Sequence, residues 1–265
     1  MGLLDHRSIY GHEWFPEPLR SEEGDVGDEL RLDYFHAAKS GRQFDSGRVE
    51  VEQSFGLLTV ELASGYQSDR NSTFDPDSGR VERDHQEGFT NIEIGVRHPV
   101  YQYVSPDRLF DTTFVLGLEV SPPVLSKVSR DVEIAASVFS LTRLGQHLSV
   151  QMELSDSVDV GPEDRGLATL EYDVVIGYEL DRDTLPLPCV SSLVPMLELA
   201  GEDSLNHDTA GENELFATAG VRASLACFPW LKEPPRLGIG YTFPLNSAAR
   251  SEFHWGIATS IVFDF

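Results

Sequence analysis

The sequence ends in FHWGIATSIVFDF, residues 253–265, and this stretch decides the fold class. Its side chains alternate between two faces, and a period of two residues is that of a β-strand. One face carries Phe253, Trp255, Ile257, Thr259, Ile261, Phe263 and Phe265, and the other carries His254, Gly256, Ala258, Ser260, Val262 and Asp264. Aromatic residues stand at both ends of the apolar face, as in a strand that crosses a bilayer and places its rings at the two interfaces. The stretch therefore predicts a transmembrane β-strand.

The same alternation recurs from residue 29 onward. Further strands are predicted around residues 29–34, 49–55, 58–63, 91–97, 114–120, 132–138, 147–154, 170–179, 190–200, 213–225 and 235–244. With the terminal strand the count is twelve, and each is about long enough to cross an apolar band of about 25 Å when tilted. No run of 18 consecutive apolar residues is present, so a transmembrane helix is not expected. We predict an all-β protein, a transmembrane antiparallel up-and-down β-barrel of about 12 strands over residues 29–265.

A soluble all-β protein would show the same alternation, but it would have to pack twelve apolar faces inward. The net charge of −24, from 44 acidic and 20 basic residues, disfavours a nucleic-acid partner, because phosphate binding needs cations. A mean hydropathy of −0.22 suits a barrel, in which only alternate residues face lipid. We therefore expect the lipid bilayer of the bacterial outer membrane as the surroundings of the chain.

The connections predict which end of the barrel faces outward. If the C-terminus is periplasmic, the external loops are residues 38–46, 67–87, 122–130, 155–166, 201–212 and 245–252, which include the longest polar connection. The periplasmic turns include Gly56–Leu57, although 99–110, 181–189 and 226–234 are longer than such turns usually are. Met1 is followed by GLLDHRS, which is not a signal peptide, so we expect the sequence to be a mature form behind a start methionine.

Residues 1–28 precede the predicted barrel. They hold Tyr10, Trp14 and Phe15 with two prolines, and are less polar than a linker. An even strand number places them on the periplasmic side, where three interpretations stay open: a plug folded into the lumen, an arm that binds a periplasmic partner, or a disordered tail.

Three stretches resemble a family of outer-membrane transporters named for the phenol-degradation meta-pathway (MetA-pathway). They are GFTNIEIGVRH (88–98), FDTTFVLGLEVSPP (110–123) and LGIGYTFPLNSAARSEFHWGIATSIVFDF (237–265). Residues 47–265 follow the order of the family's strand motifs, which describe barrel construction. The resemblance implies passage of small molecules, hydrophobic or aromatic ones among them, and it carries over no catalytic residue.

The inward face of the predicted barrel is the candidate site, because its polar side chains are mostly carboxylates. The lumen residues are predicted to be Glu50, Glu52, Glu61, Glu93, Arg97, Glu119, Glu153, Glu171, Asp173, Glu179, Arg222 and His254. Uncompensated carboxylates would attract cations, whereas arginines that clamp them would plug the barrel, and the sequence leaves both open. The leading hypothesis is a channel or transporter for small solutes with an acidic, cation-preferring or substrate-selective lumen.

Two hypotheses of other classes compete with a channel. One is a structural barrel that docks a partner complex through residues 1–28. The other is an enzyme at the outer rim, built on the pairs Asp84–His85 and His207–Asp208. We expect no enzyme, because the two pairs come from separate loops, and no cofactor or metal, because the carboxylates of residues 69–77 match no EF-hand spacing.

Cys189 and Cys227 are the two cysteines, both in predicted periplasmic connections. In that oxidising compartment a disulfide between them is open, and so is a pair of unbonded thiols.

Overall fold

The computed structural model describes residues 16–22, 24, 27–75, 80–161, 166–181, 184, 187–206, 211–228, 230–231 and 233–265. Most of them lie in strands: β1 (Glu29–Lys39), β2 (Arg42–Phe55), β3 (Leu58–Asp75), β4 (Arg80–Val104), β5 (Phe110–Ser121), β6 (Val132–Leu144), β7 (Leu148–Val160), β8 (Ala168–Tyr178), β9 (Val190–Ser204), β10 (Asn213–Leu225), β11 (Arg236–Pro244) and β12 (Trp255–Asp264). After Glu179, β8 resumes for two residues as Leu180–Asp181, and a short helix, α1 (Ser247–Glu252), lies between β11 and β12.

The sheet closes on itself. Each strand pairs antiparallel with its neighbours in sequence, and β1 pairs with β12 from Glu29↔Asp264 to Ala38↔Trp255. The predicted all-β, up-and-down barrel of twelve antiparallel strands is confirmed. Within the closed barrel each strand is paired on both sides, which a strand in lipid requires because lipid cannot hydrogen-bond an exposed backbone.

The two faces of the strands follow the predicted alternation. Apolar side chains project outward, such as Leu118 at 61% exposed and Ile239 at 53%, while inward-facing Glu52 and Arg97 are 1% and 4% exposed. Outward aromatic pairs flank the aliphatic band, with Tyr66–Phe89 near one end of the barrel and other pairs near the opposite end. This outer surface matches a bilayer core between two interfaces.

The barrel has two distinct ends. The terminal end carries Glu29 and Asp264, and its connections run through residues 56–57, 105–109, 145–147, 179–189 and 226–235. The loop end carries the other connections and α1. Among the described residues, no helix is long and apolar enough to cross a membrane.

Several predicted connections lie partly or mostly in strands, among them 99–110, whose first six residues belong to β4. The connection expected at 38–46 is the two-residue turn Ser40–Gly41, and most of 67–87 is a β-ribbon in which β3 and β4 stay paired to Asp75↔Arg80. The interpretation failed because it took polarity to mean loop. A strand pair outside the apolar band needs no apolar face, since its ladder hydrogen bonds hold it.

Candidate functional site

A segment that precedes the first strand crosses the lumen. Residues 16–22 include Glu17 and Leu19, which are 1% and 2% exposed. Polar side chains on seven strands contact this segment, namely Arg31 (β1), Arg48 (β2), Arg97 (β4), Gln151 (β7), Glu198 (β9), Arg222 (β10) and Arg236 (β11). The lumen segment, as we call residues 16–22, therefore divides the interior of the barrel.

Hydrogen bonds to its backbone hold the lumen segment in place. Glu198 accepts the N–H groups of Leu19 and Arg20, the second at 3.0 Å. From the opposite direction, Arg222 donates to the Glu17 and Pro18 carbonyls at 2.8 Å each. Because the segment has no secondary structure of its own to satisfy these groups, the wall does so.

Leu19 occupies a space, called here the leucine seat, that three glycines of the barrel wall leave open. A Cβ built on Gly220, Gly238 or Gly240 would lie 2.3, 2.4 or 2.8 Å from a Leu19 methyl carbon. Leu19 also packs in a buried cluster with Met196. The alternation of small residues along β10 and β11 thus leaves space for one side chain from the lumen segment.

Two arginines form ion pairs with the carboxylates on the inner face of β2, β3 and β4. Arg48 pairs with Glu50, with Glu61 at 2.8 Å and with Glu93 at 2.5 Å. On the terminal side of this group, Arg97 pairs with Glu61 and, at 2.8 Å, with Glu52. Glu22 of the lumen segment lies 3.4 Å from Arg48 and 4.0 Å from Arg97. Each buried carboxylate here has a cationic partner, as burial of charge requires.

A second network closes the terminal end. Arg236 pairs with Glu17 and Asp264 and lies 3.6 Å from Glu29. A cavity of about 30 Å³ on this side touches Arg236 and Glu179. The ion pairs of Arg236 therefore join the lumen segment to the wall at the terminal end.

The loop-end side holds a cavity of about 470 Å³, which we call the acidic cavity. Its described lining includes eight carboxylates, Glu22, Glu93, Glu119, Asp131, Glu133, Glu153, Asp159 and Glu171, against two cations, Lys127 and Arg130. The cavity is large enough to hold a cluster of water molecules.

A cavity of about 450 Å³ lies beside the opposite wall, also toward the loop end. We call it the aromatic cavity, because Phe35, Phe44, Phe216 and Phe253 line it. Arg20 of the lumen segment forms part of its boundary.

The structure places the predicted lumen residues in different groups. One ion-pair cluster contains Glu50, Glu52, Glu61, Glu93 and Arg97. The acidic cavity is lined by Glu119, Glu153 and Glu171, and Asp173 lies beside Ser21 and Glu22. The terminal-side cavity is lined by Arg222 and Glu179. His254 precedes β12, is exposed and lines neither loop-end cavity.

Sequence reasoning missed two of the arginines that organise the lumen, Arg48 and Arg236. Arg48 has the same inward register as Glu50 and Glu52, and Arg236 the same as Gly238, so the alternation itself could have assigned both. Glu17, Arg20 and Glu22 had no periodic signal, because the lumen segment is neither strand nor helix.

The other candidate chemistry has a different geometry from the one expected. Cys189 and Cys227 are exposed thiols rather than a disulfide. His85 lies in β4, and its carboxylate partner is Glu87, 3.0 Å away, rather than Asp84. Neighbouring strand residues point to opposite faces, which separates Asp84 from His85. His207 and Asp208 lie outside the described residues.

Comparison with known proteins identifies the fold. The chain is similar to a COG4313 outer-membrane channel from Pseudomonas putida F1 (12% identity, 96% of this chain and 100% of that one, TM-score 0.58) and to the porin NanC (8%, 89% and 99%, 0.52). It is also similar to the transport unit of the autotransporter AIDA-I from Escherichia coli (9%, 97% and 95%, 0.50). No family model matches the chain, nor does any curated protein, so the MetA-pathway resemblance stays a prediction. At these identities the likeness establishes the fold, and the chain folds as an outer-membrane β-barrel.

Proposed function

We propose that this protein is a channel of the bacterial outer membrane that passes small solutes and prefers cations. Residues 29–265 form the transmembrane barrel, and residues 1–28 are an N-terminal unit whose lumen segment acts as a plug. The terminal end faces the periplasm, and the acidic cavity opens toward the exterior.

The observation that carries the proposal is the acidic cavity beside the plug. Its described lining holds eight carboxylates and two cations; Glu22 and Glu93 pair with Arg48, and the other six still outnumber the two cations. A unit cation about 10 Å from one such carboxylate gains roughly 1.7 kcal/mol at an effective dielectric near 20, and an anion is repelled by as much. Several carboxylates together therefore concentrate cations at the mouth of the lumen.

The ion-pair cluster restricts the cation preference to one part of the lumen. Around Arg48 and Arg97 the carboxylates are paired, whereas the acidic cavity keeps an excess of negative charge. Selection therefore occurs in the acidic cavity, and the arginine cluster shapes the wall below it.

Reversal potentials in a planar bilayer under a KCl gradient test the proposal. We expect the full chain to show single-channel steps with a cation-selective reversal potential, and the double variant Glu119→Gln, Glu133→Gln to shift that potential toward zero. The double variant Asp84→Asn, Glu87→Gln, an equal charge change on the β-ribbon outside the cavity, serves as the control and should leave the potential unchanged.

Two outcomes would contradict the proposal, one for conduction and one for selectivity. Absence of single-channel steps both in the full chain and in a variant with a weakened plug would favour a structural barrel that docks a partner. Anion selectivity in the full chain would reject the acidic cavity as the selecting element.

A further inference from the structure

The aromatic cavity contains an arginine held by rings. The Arg20 guanidinium lies 4.3 Å from the centre of the Phe35 ring, 5.6 Å from that of Phe216 and 5.9 Å from that of Phe253. Phe216 and Phe253 stack with centroids 4.5 Å apart and an interplanar angle of 11°. Cation–π contact orients the guanidinium through its face, which leaves the N–H groups at its edge available to an acceptor.

No protein acceptor takes those N–H groups within the described part of the chain. Other arginines around the cavity do have acidic partners: Arg31 pairs with Asp33 at 2.8 Å, and Arg42 with Asp69 at 2.6 Å. Arg20 is exposed to the cavity and has ring contacts in place of an ion pair. Its free fork of donors has the geometry that binds a carboxylate with two hydrogen bonds.

Two carboxylates in the same cavity complement this arginine. Glu202 of β9 and Glu214 of β10 stand directly opposite each other and both line the cavity. Like charges directly opposite on neighbouring strands repel. Neither carboxylate has an ion pair or side-chain hydrogen bond with another described residue, whereas Glu252 in the same lining pairs with Arg42 at 2.8 Å. An ammonium between Glu202 and Glu214 would remove their repulsion.

We propose that the aromatic cavity binds a small zwitterion that carries an aromatic or apolar group, as an amino acid of the phenylalanine type does. The carboxylate binds Arg20, the ammonium binds Glu202 and Glu214, and the ring packs on the phenylalanine side chains.

The combination of one arginine with two glutamates excludes ligands that carry a single charge. A plain aromatic anion would face the two glutamates, and a plain aromatic amine would face the arginine, so each leaves one charge of the cavity unpaired. The proposal names the class of solute that the proposed channel carries, and it rests on that channel for the solute's path across the membrane. Binding to the cavity can be measured without transport.

Isothermal titration of the purified full chain in detergent tests the proposal. The probes are L-phenylalanine, phenylacetate (anion only), phenethylamine (cation only) and L-alanine (zwitterion without a ring). We expect L-phenylalanine to bind at least about tenfold more tightly than each of the others, since each lacks a charge-assisted hydrogen bond or the ring contact.

Variants assign the contacts. Arg20→Gln and the double variant Glu202→Gln, Glu214→Gln should each weaken phenylalanine binding about tenfold or more, while Arg20→Lys, which keeps the charge but loses the fork, should lie between. Arg250→Gln, on α1 outside the cavity lining, is the control and should bind like the unchanged protein. The heat-modifiable gel shift of a folded barrel verifies that each variant folds.

The proposal is overturned if L-phenylalanine binds no more tightly than L-alanine, or if Arg20→Gln binds like Arg250→Gln. Bilayer conductance of the same preparations separates the two proposals. Conducting protein without phenylalanine binding rejects the zwitterion site alone, and binding without conductance rejects the channel alone.

Discussion

Glu198 is the side chain whose loss should release the plug most selectively. Its carboxylate is 1% exposed and accepts the backbone N–H groups of Leu19 and Arg20. Glu198→Ala removes both acceptors and leaves two N–H donors without a partner for as long as the lumen segment stays docked. The barrel keeps its strand ladder, because the β9 backbone pairs are unaffected.

The size of the effect follows from these two contacts. A buried donor left unsatisfied costs about 1–3 kcal/mol, and the Arg20 N–H is only partly buried, so docking of the lumen segment weakens by about 1–5 kcal/mol in total. Every 1.4 kcal/mol changes an equilibrium about tenfold, and a loss near 3 kcal/mol therefore raises the undocked population on the order of a hundredfold. Such a change is large enough to alter the gating of single channels.

Single-channel recording in a planar bilayer measures the change. We expect Glu198→Ala to show more frequent and larger openings than the unchanged protein. Thr218→Val is a control for the loss of a buried inward hydrogen bond: the Thr218 hydroxyl bonds that of Thr242 at 2.8 Å and links two strands of the wall. If Glu198→Ala folds but conducts like Thr218→Val, then the lumen segment does not limit the channel.

Three further changes test the same architecture. Gly238→Ala places a Cβ 2.4 Å from a Leu19 methyl carbon, too close for the side chain to keep its position, so openings should become more frequent in the same bilayer assay. Arg97→Ala leaves buried carboxylates without their cation and should lower the free energy of unfolding in urea by about 3–5 kcal/mol. In a cysteine-free background, a water-soluble maleimide should label Glu171→Cys readily and Val174→Cys slowly, because they lie on opposite faces of β8.

Each of these has a result that would contradict it. Unchanged gating in Gly238→Ala would mean that the leucine seat does not hold the segment. The control for Arg97→Ala is Arg83→Ala, which changes an exposed residue of the β-ribbon. Equal unfolding curves for the two variants would show that the buried cluster adds no stability. Fast labelling at position 174 with protection at 171 would mean that the apolar face is not in lipid.

The sequence alone determined the barrel and the sense of its faces. The alternation in residues 253–265 and its repeats specify strands, because side chains on a strand point to alternate faces. The cost of burying charge in lipid decided which face points inward. Carboxylates such as Glu93 and Glu119 cost up to a few kcal/mol each in the apolar band, whereas inside the barrel water and arginines compensate them. Both arguments are local, so they needed no knowledge of which strands meet.

Only the tertiary structure decided what fills the lumen. The partners of Leu19 and Arg20 include Glu198, 179 and 178 residues away in sequence, and no period or motif connects positions so distant. Even the polar ribbon at 67–87 depended on strand pairing rather than on polarity. The physical reason is that inward residues meet across the barrel only when its closure brings distant strands together. The ion pairs, the leucine seat and the two loop-end cavities are therefore properties of the closed sheet.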